Sequence, residues 1–239
     1  MPGSLDSIQN HRPLADVVFN KLRDAVRGGT LKAGQWLRQE ALAQELGVSQ
    51  MPVREALKRL VAEGLAERIP YKGVRVVEFT PEDIVDMFTV RLVLEGLAAR
   101  FAASLITSED LKRLQENIRQ AAQYTRPDQM TERWQLNAEF HLSICRASGR
   151  RYLIHQVEML WRWFPNAILY EGEMSERREL LPAYLERETR AHKAILAALK
   201  RRDAQQAEEE TRRHIQNLAE ELAEILGVPK EVVEPLKTL

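Results

Sequence analysis

The chain has 239 residues, 44% of them hydrophobic, and its 35 Lys+Arg balance its 35 Asp+Glu. That is more than one average domain and enough apolar material for two ordinary cores. A single cysteine, Cys145, excludes an internal disulfide framework. No apolar run approaches the roughly 18 residues of a membrane helix, and Met1 to Asn10 lack the basic-then-apolar order of a signal peptide. A soluble, cytoplasmic globular protein with no membrane partner is expected.

Charge is not evenly spread. Residues 1–78 carry 12 Lys+Arg against 9 Asp+Glu, and residues 79–239 carry 23 against 26. Such a small basic excess suits phosphate contact without proving it, so motif and spacing must carry the reading. Pro13 to Arg27 sets Leu14, Val17, Val18, Leu22 and Val26 at helical intervals before Gly28-Gly29 stops the helix. Gln39 to Leu46 reads as a short helix ended by Gly47, and Ser49 is placed to cap a third helix running to about Glu63. Pro52 is tolerated there because first-turn donors have no intrahelical partner. After Gly64, the stretch Leu65 to Phe79 alternates around Pro70-Tyr71-Lys72-Gly73, which predicts a β-hairpin.

Two short helices joined by Leu46-Gly47-Val48-Ser49 and followed by a hairpin with a basic tip predict a winged helix-turn-helix. Leu42, Leu46, Val53, Leu57 and Leu60 would pack the helices. Ser49, Gln50, Met51, Arg54 and Lys58 are then left on the start and outer face of the second one. Arg54 can donate two hydrogen bonds to a guanine edge, Gln50 can pair with adenine, and Lys72 and Arg75 on the hairpin can meet backbone or minor groove. The bland alternative is a packing module in which Arg54 is a solvated charge beside Glu55.

The residues Leu42-Ala43, Leu46 to Leu57, Leu60, Glu63-Gly64-Leu65 and Gly73-Val74 resemble the GntR regulator signature over nearly all of residues 13–78. The resemblance implies DNA contact by Arg54, by the first residues of the same helix and by the wing glycine, Gly73. Two positions depart from the pattern. Gln50 stands where arginine is more usual, as does Glu40 early in the preceding helix, which predicts a shifted operator sequence.

Thr80-Pro81-Glu82-Asp83 supplies a cap, a first-turn proline and an acid at the third helical position, so a second domain, 79–239, is expected to begin here. Breaks near Thr107-Ser108, Arg126-Pro127-Asp128, Ser148-Gly149, Pro165, Glu173 to Ser175, Pro182 and Arg202-Asp203 delimit about six helices. With no β-rich interruption, the predicted fold is mainly α, a winged helix-turn-helix followed by an antiparallel helical bundle.

Polar residues on apolar helical stripes are the informative ones in this half, because burial without partners is costly. Arg91 and Glu95 share a face with Ile84, Met87, Phe88, Leu94 and Ala98. Trp134, Asn137, His141 and Ile144 line another stripe. His192 aligns with Leu185, Ile195, Leu196 and Leu199, and His214 with Leu218, Leu222 and Ile225. Three inward imidazoles and one amide can form a cage for a divalent transition metal, zinc or nickel, or a hydrogen-bonded histidine network without metal. Arg91 is a candidate clamp for an effector carboxylate; an internal ion pair to Glu95 one turn away is the alternative, and the two are compatible.

Residues 80–226, through Arg91 to Glu95, Asn137 to His141, His192 to Leu199 and His214, resemble the FCD domain of the FadR subfamily in a shorter, VanR-like form. Metal-binding members use an aspartate and three histidines, and this pattern falls on Asn137, His141, His192 and His214, with Asn137 departing from the acid. The resemblance further implies a homodimer, a small organic-acid effector and a pseudo-palindromic double-stranded operator. A metal-free sensor for an acyl-type ligand is a second alternative. A metalloenzyme is the rival class, disfavoured because no separate acid-base pair is evident except Glu139, which lies near the stripe by sequence but is expected to point elsewhere, and because the DNA reader would go unexplained.

Overall fold

The computed structural model describes residues 14–163 and 181–234. Pro165, the break at Glu173 to Ser175, His11 and Phe164 lie outside the described residues. The chain divides into two compact units, Met1–Glu78 and Phe79–Leu239.

The first unit runs α1 (Leu14–Arg27), α2 (Gln39–Leu46), α3 (Gln50–Ala62), β1 (Ala66–Ile69) and β2 (Gly73–Val76). Helix α1 buries Val18, Phe19 and Leu22, whereas Leu14 and Val17 are exposed, so the buried stripe is centred on Phe19 rather than Val17. Arg59 of α3 lies 4.0 Å over the Phe19 ring and pairs with Asp16, which fastens α1 to α3. Gly47 ends α2 at φ +66°, a left-handed conformation that permits the sharp turn into α3. Ser49 occupies the N-cap position with extended dihedrals, but its hydroxyl makes no capping bond. The two strands pair antiparallel, Ala66 opposite Val76 and Ile69 opposite Gly73, and Val74 and Val76 point into the core.

The second unit contains α4 (Pro81–Leu105), α5 (Ser108–Ala121), α6 (Met130–Ala147), α7 (Arg151–Trp163), α8 (Leu181–Lys200), α9 (Ala204–Leu226) and the short α10 (Lys230–Val233). Among the described residues it holds no strand. Thr80 and Asp83 form a reciprocal capping box at the start of α4, with Asp83 N–H donating to Thr80 Oγ1 at 3.1 Å and Thr80 N–H to Asp83 Oδ2 at 2.8 Å. Thr107 and Asp110 repeat the device on α5.

Helix α4 lies along α9 and also packs on α6 and α7. Gly96 allows the close approach to α9: a Cβ there would sit 2.6 Å from Arg212 Cγ. On α6 the buried positions Met130, Arg133, Trp134, Asn137, Phe140, His141, Ile144 and Cys145 fall at three- and four-residue spacings. Polar side chains are therefore carried into the core by the same periodicity that buries the apolar ones. Arg133 is fully used there. It donates to Glu188 Oε2 on α8 at 2.8 Å, to the carbonyls of Ala121 at the end of α5 and Tyr124 just beyond it, and to Leu185 O.

Candidate functional site

On the first unit, Ser49, Gln50, Met51, Arg54 and Lys58 are all exposed along the start and outer face of α3. Their mutual contacts are light. Arg54 Nη2 lies 3.0 Å from Met51 Sδ and its Nε is 3.7 Å from Glu55 Oε1, while Lys58 Nζ donates to the same Glu55 oxygen at 3.0 Å. Gln39 on α2, to which sequence reasoning gave no role, donates to both Gln50 O and Gln50 Oε1 at 3.2 Å. Because the backbone oxygen can only accept, the group that Gln39 presents is its amide nitrogen.

Lys72 and Gly73 are exposed at the hairpin tip, whereas Arg75 is half-buried with its Nε on Glu67 across the strands at 2.7 Å. Two further groups share this surface. Tyr71 is fully exposed at the tip, and Arg38 donates to Lys72 O at 3.1 Å. No periodicity marks such exposed side chains, so the sequence carried no signal for them.

In the second unit, His141 of α6, His192 of α8 and His214 of α9 converge, with ligand atoms all within 4.8 Å of one another. None is more than 7% exposed. The Nε2 atoms of His192 and His214 face each other at 3.2 Å. Phe140 stacks on the His192 ring at 4.1 Å and fixes its plane. Burial first, and then the neighbouring charged and imidazole groups, push the His192 and His214 pKa values well below the usual 6.5, so both rings stay neutral.

Asn137 is 3% exposed, one turn before His141, and neither its Oδ1 nor its Nδ2 has a hydrogen-bond partner among the described residues; the same holds for His141 Nε2. Leaving such groups buried and unpaired costs about 1–3 kcal/mol each, an expense expected where a ligand completes the site.

Glu95 and Arg91 of α4 complete the cluster from the other side. Glu95, 1% exposed, accepts from Arg91 Nε at 2.7 Å and from Trp161 Nε1 of α7 at 3.0 Å, both through Oε1. Its Oε2 lies 2.8 Å from His141 Nδ1. That is hydrogen-bonding distance, although the ring N–H is not fully aligned on the oxygen. Burial opposes ionisation of Glu95, but Arg91 and then His141 outweigh it and bring its pKa to about 2. Arg91 is itself fully buried, its guanidinium 4.1 Å over the Trp161 ring. The Arg91 to Glu95 ion pair foreseen from their four-residue spacing is thus present, and Trp161 joins it. Glu139 is exposed and pairs with Ser143 and Arg146, away from the histidines.

The donor set fits a metal ion. Two imidazoles bound 2.0–2.1 Å from one tetrahedral ion have nitrogens about 3.4 Å apart, close to the observed His192 to His214 spacing, and neutral imidazole is the coordinating form.

Residues 14–76 match the family described as bacterial regulatory proteins, gntR family, and residues 86–217 match the FCD domain. The chain is 32% identical over 205 residues to the HTH-type transcriptional regulator McbR of Escherichia coli K12, covering 85% of this chain and 89% of that protein. It is 28% identical over 233 residues to the Glc operon transcriptional activator of the same organism, covering 90% and 91%. The solved structure of E. coli McbR/YncC superposes with a TM-score of 0.71 at 29% identity, over 90% of this chain and 99% of that one. Among the described residues no helix is long and apolar enough to cross a membrane. With an α2-turn-α3 reader and wing in one unit and a histidine-lined helical bundle in the other, the chain belongs to the GntR family of bacterial regulatory proteins and carries an FCD domain.

Proposed function

We propose that the chain is a homodimeric, ligand-responsive transcriptional regulator, with residues 1–78 as the DNA reader and 79–239 as the sensor and dimerisation domain. The observation that carries the sensing half is the buried convergence of His141, His192 and His214 beside Asn137. These residues would hold a divalent transition metal, zinc or nickel, with Asn137 Oδ1 as a neutral oxygen donor. The ion would supply positive charge and open coordination positions for a small organic acid. The finer placement in the FadR subfamily, in the shorter VanR-like form, belongs to the same reading.

Arg91 is the residue proposed to orient the effector carboxylate. What supports this is its place in one buried network with His141, through Glu95. A guanidinium already desolvated forms a strong bidentate pair with a carboxylate. In the reader, Ser49, Gln50, Met51, Arg54 and Lys58 would enter the major groove, with Lys72, Gly73 and Arg75 of the wing on the adjacent backbone or minor groove. Two-fold symmetry of the dimer matches a pseudo-palindromic operator. Effector binding would shift the sensor helices and, through residues 77–81, the spacing of the two readers.

Native mass spectrometry of the purified chain tests this. The expected result is a dimer carrying one transition-metal ion per chain, with that ion lost on chelation. A metal-free protein after growth and purification with added zinc and nickel would contradict the sensing half. A monomer would contradict the symmetric reader.

A further inference from the structure

We infer that Glu95 sets the tautomer of His141: its carboxylate holds the proton on Nδ1, so that Nε2 is the nitrogen offered to the histidine cluster. The metal reading above gives this its purpose. The tautomer assignment itself stands on geometry.

Oε1 of Glu95 accepts from Arg91 Nε at 2.7 Å and Trp161 Nε1 at 3.0 Å. Those two donors come from α4 and α7, so the carboxylate is gripped from two helices and cannot rotate without breaking both bonds. Its remaining oxygen, Oε2, is left 2.8 Å from His141 Nδ1 on α6. An ionised carboxylate only accepts, and at 2.8 Å a bare lone pair on the facing nitrogen would be repelled even though the N–H is not aimed straight at the oxygen, so the proton is favoured on Nδ1. In the neutral form, which is the one that coordinates a metal, the imidazole has a single N–H, so Nε2 presents its lone pair. That atom is buried with no partner among the described residues.

The same arrangement orients ligating histidines in metal sites generally, where an outer carboxylate fixes the ring and raises its basicity. Glu95 is therefore a positioning residue: its side chain touches His141, through which it would act on a bound ion. Sequence spacing identified Glu95 as a partner for Arg91 alone; the link to His141 depends on how α4 and α6 pack.

Glu95→Gln is the discriminating variant because it keeps shape and removes charge. Arg91 and Trp161 both donate to the Oε1 position, so the amide oxygen must sit there and the amide nitrogen must face His141. That nitrogen donates to Nδ1, which moves the ring proton to Nε2. Histidine-labelled 15N NMR on the full-length, chelator-stripped chain reads this directly. The wild-type spectrum should show His141 protonated at Nδ1, and Glu95→Gln should show it at Nε2. Glu95→Asp retains an anionic acceptor and should keep the wild-type tautomer. Zinc affinity, measured by competition with a chromophoric chelator, should fall roughly 10- to 100-fold in Glu95→Gln.

A wild-type His141 protonated at Nε2, or an Nδ1 proton that persists in Glu95→Gln, overturns the assignment. Zinc bound equally tightly by the wild type and Glu95→Gln overturns the role of Glu95 and leaves the metal reading intact. The Nδ1 tautomer in a wild type that takes up neither zinc nor nickel supports the assignment and removes the metal reading.

Discussion

In the first unit Ser49, Gln50, Met51, Arg54 and Lys58 stand exposed on α3, while in the second Asn137, His141, His192 and His214 are at most 7% exposed. The difference decides what each group can report. An exposed polar side chain has given up little solvation on folding, so its removal changes affinity for a partner and little else. A buried one already carries its desolvation cost in the folded chain, and its removal changes stability and pH response as well. The second unit should therefore be fragile where the first is tolerant.

The largest expected effect is at Arg133, which is buried against Glu188 and four other acceptors. Burial raises the Glu188 pKa and Arg133 opposes that rise. Arg133→Met strands the carboxylate and should cost about 3–5 kcal/mol in urea denaturation, with much of it recovered in Arg133→Met/Glu188→Leu. A single variant as stable as wild type would erase the contrast between the units.

Stability of the chelator-stripped protein should also fall in acid. His192 and His214 have folded pKa values depressed below the unfolded value of about 6.5, so the unfolded chain binds more protons below that pH. Their contribution is complete above about pH 6.5 and is lost as pH falls, at up to about 1.4 kcal/mol per pH unit for each ring. Denaturation midpoints between pH 8 and 5 check this, and His192→Phe should flatten the curve.

Arg54→Ala should weaken operator binding by about 1–3 kcal/mol in a mobility-shift assay while leaving the urea midpoint unchanged. A matched loss of stability would place Arg54 with the structural residues instead. The smallest effect is at Thr80. Removing its capping oxygen in Thr80→Ala should cost about 1 kcal/mol, read as a lower melting temperature with unchanged zinc uptake.

The sequence made some of this legible and concealed the rest for identifiable reasons. Periodicity placed Arg91, Glu95, Asn137, His141, His192 and His214 on inward faces, because burial follows the helical repeat whatever the side chain. The Thr80 to Asp83 cap and the Gly47 turn were readable because they are local. Contacts between helices were not. Arg133 with Glu188, Glu95 with His141 and Trp161 with Glu95 join residues far apart in the chain, and their pairing depends on how the helices pack. Leu14 and Val17 follow a helical pattern yet are exposed, since a repeat identifies a face without showing how far its packing partner extends.

Coupling between metal, acid and operator is measured most directly as operator affinity by fluorescence anisotropy with zinc-loaded and chelator-stripped protein across a panel of small carboxylic acids. At least one acid should change the affinity of the loaded protein roughly 5- to 150-fold, a coupling of about 1–3 kcal/mol, and the change should disappear in the stripped protein and in His192→Phe. An operator affinity indifferent to every acid in both states, or an acid effect undiminished by metal removal, would contradict a metal-dependent coupling of the second unit to the first.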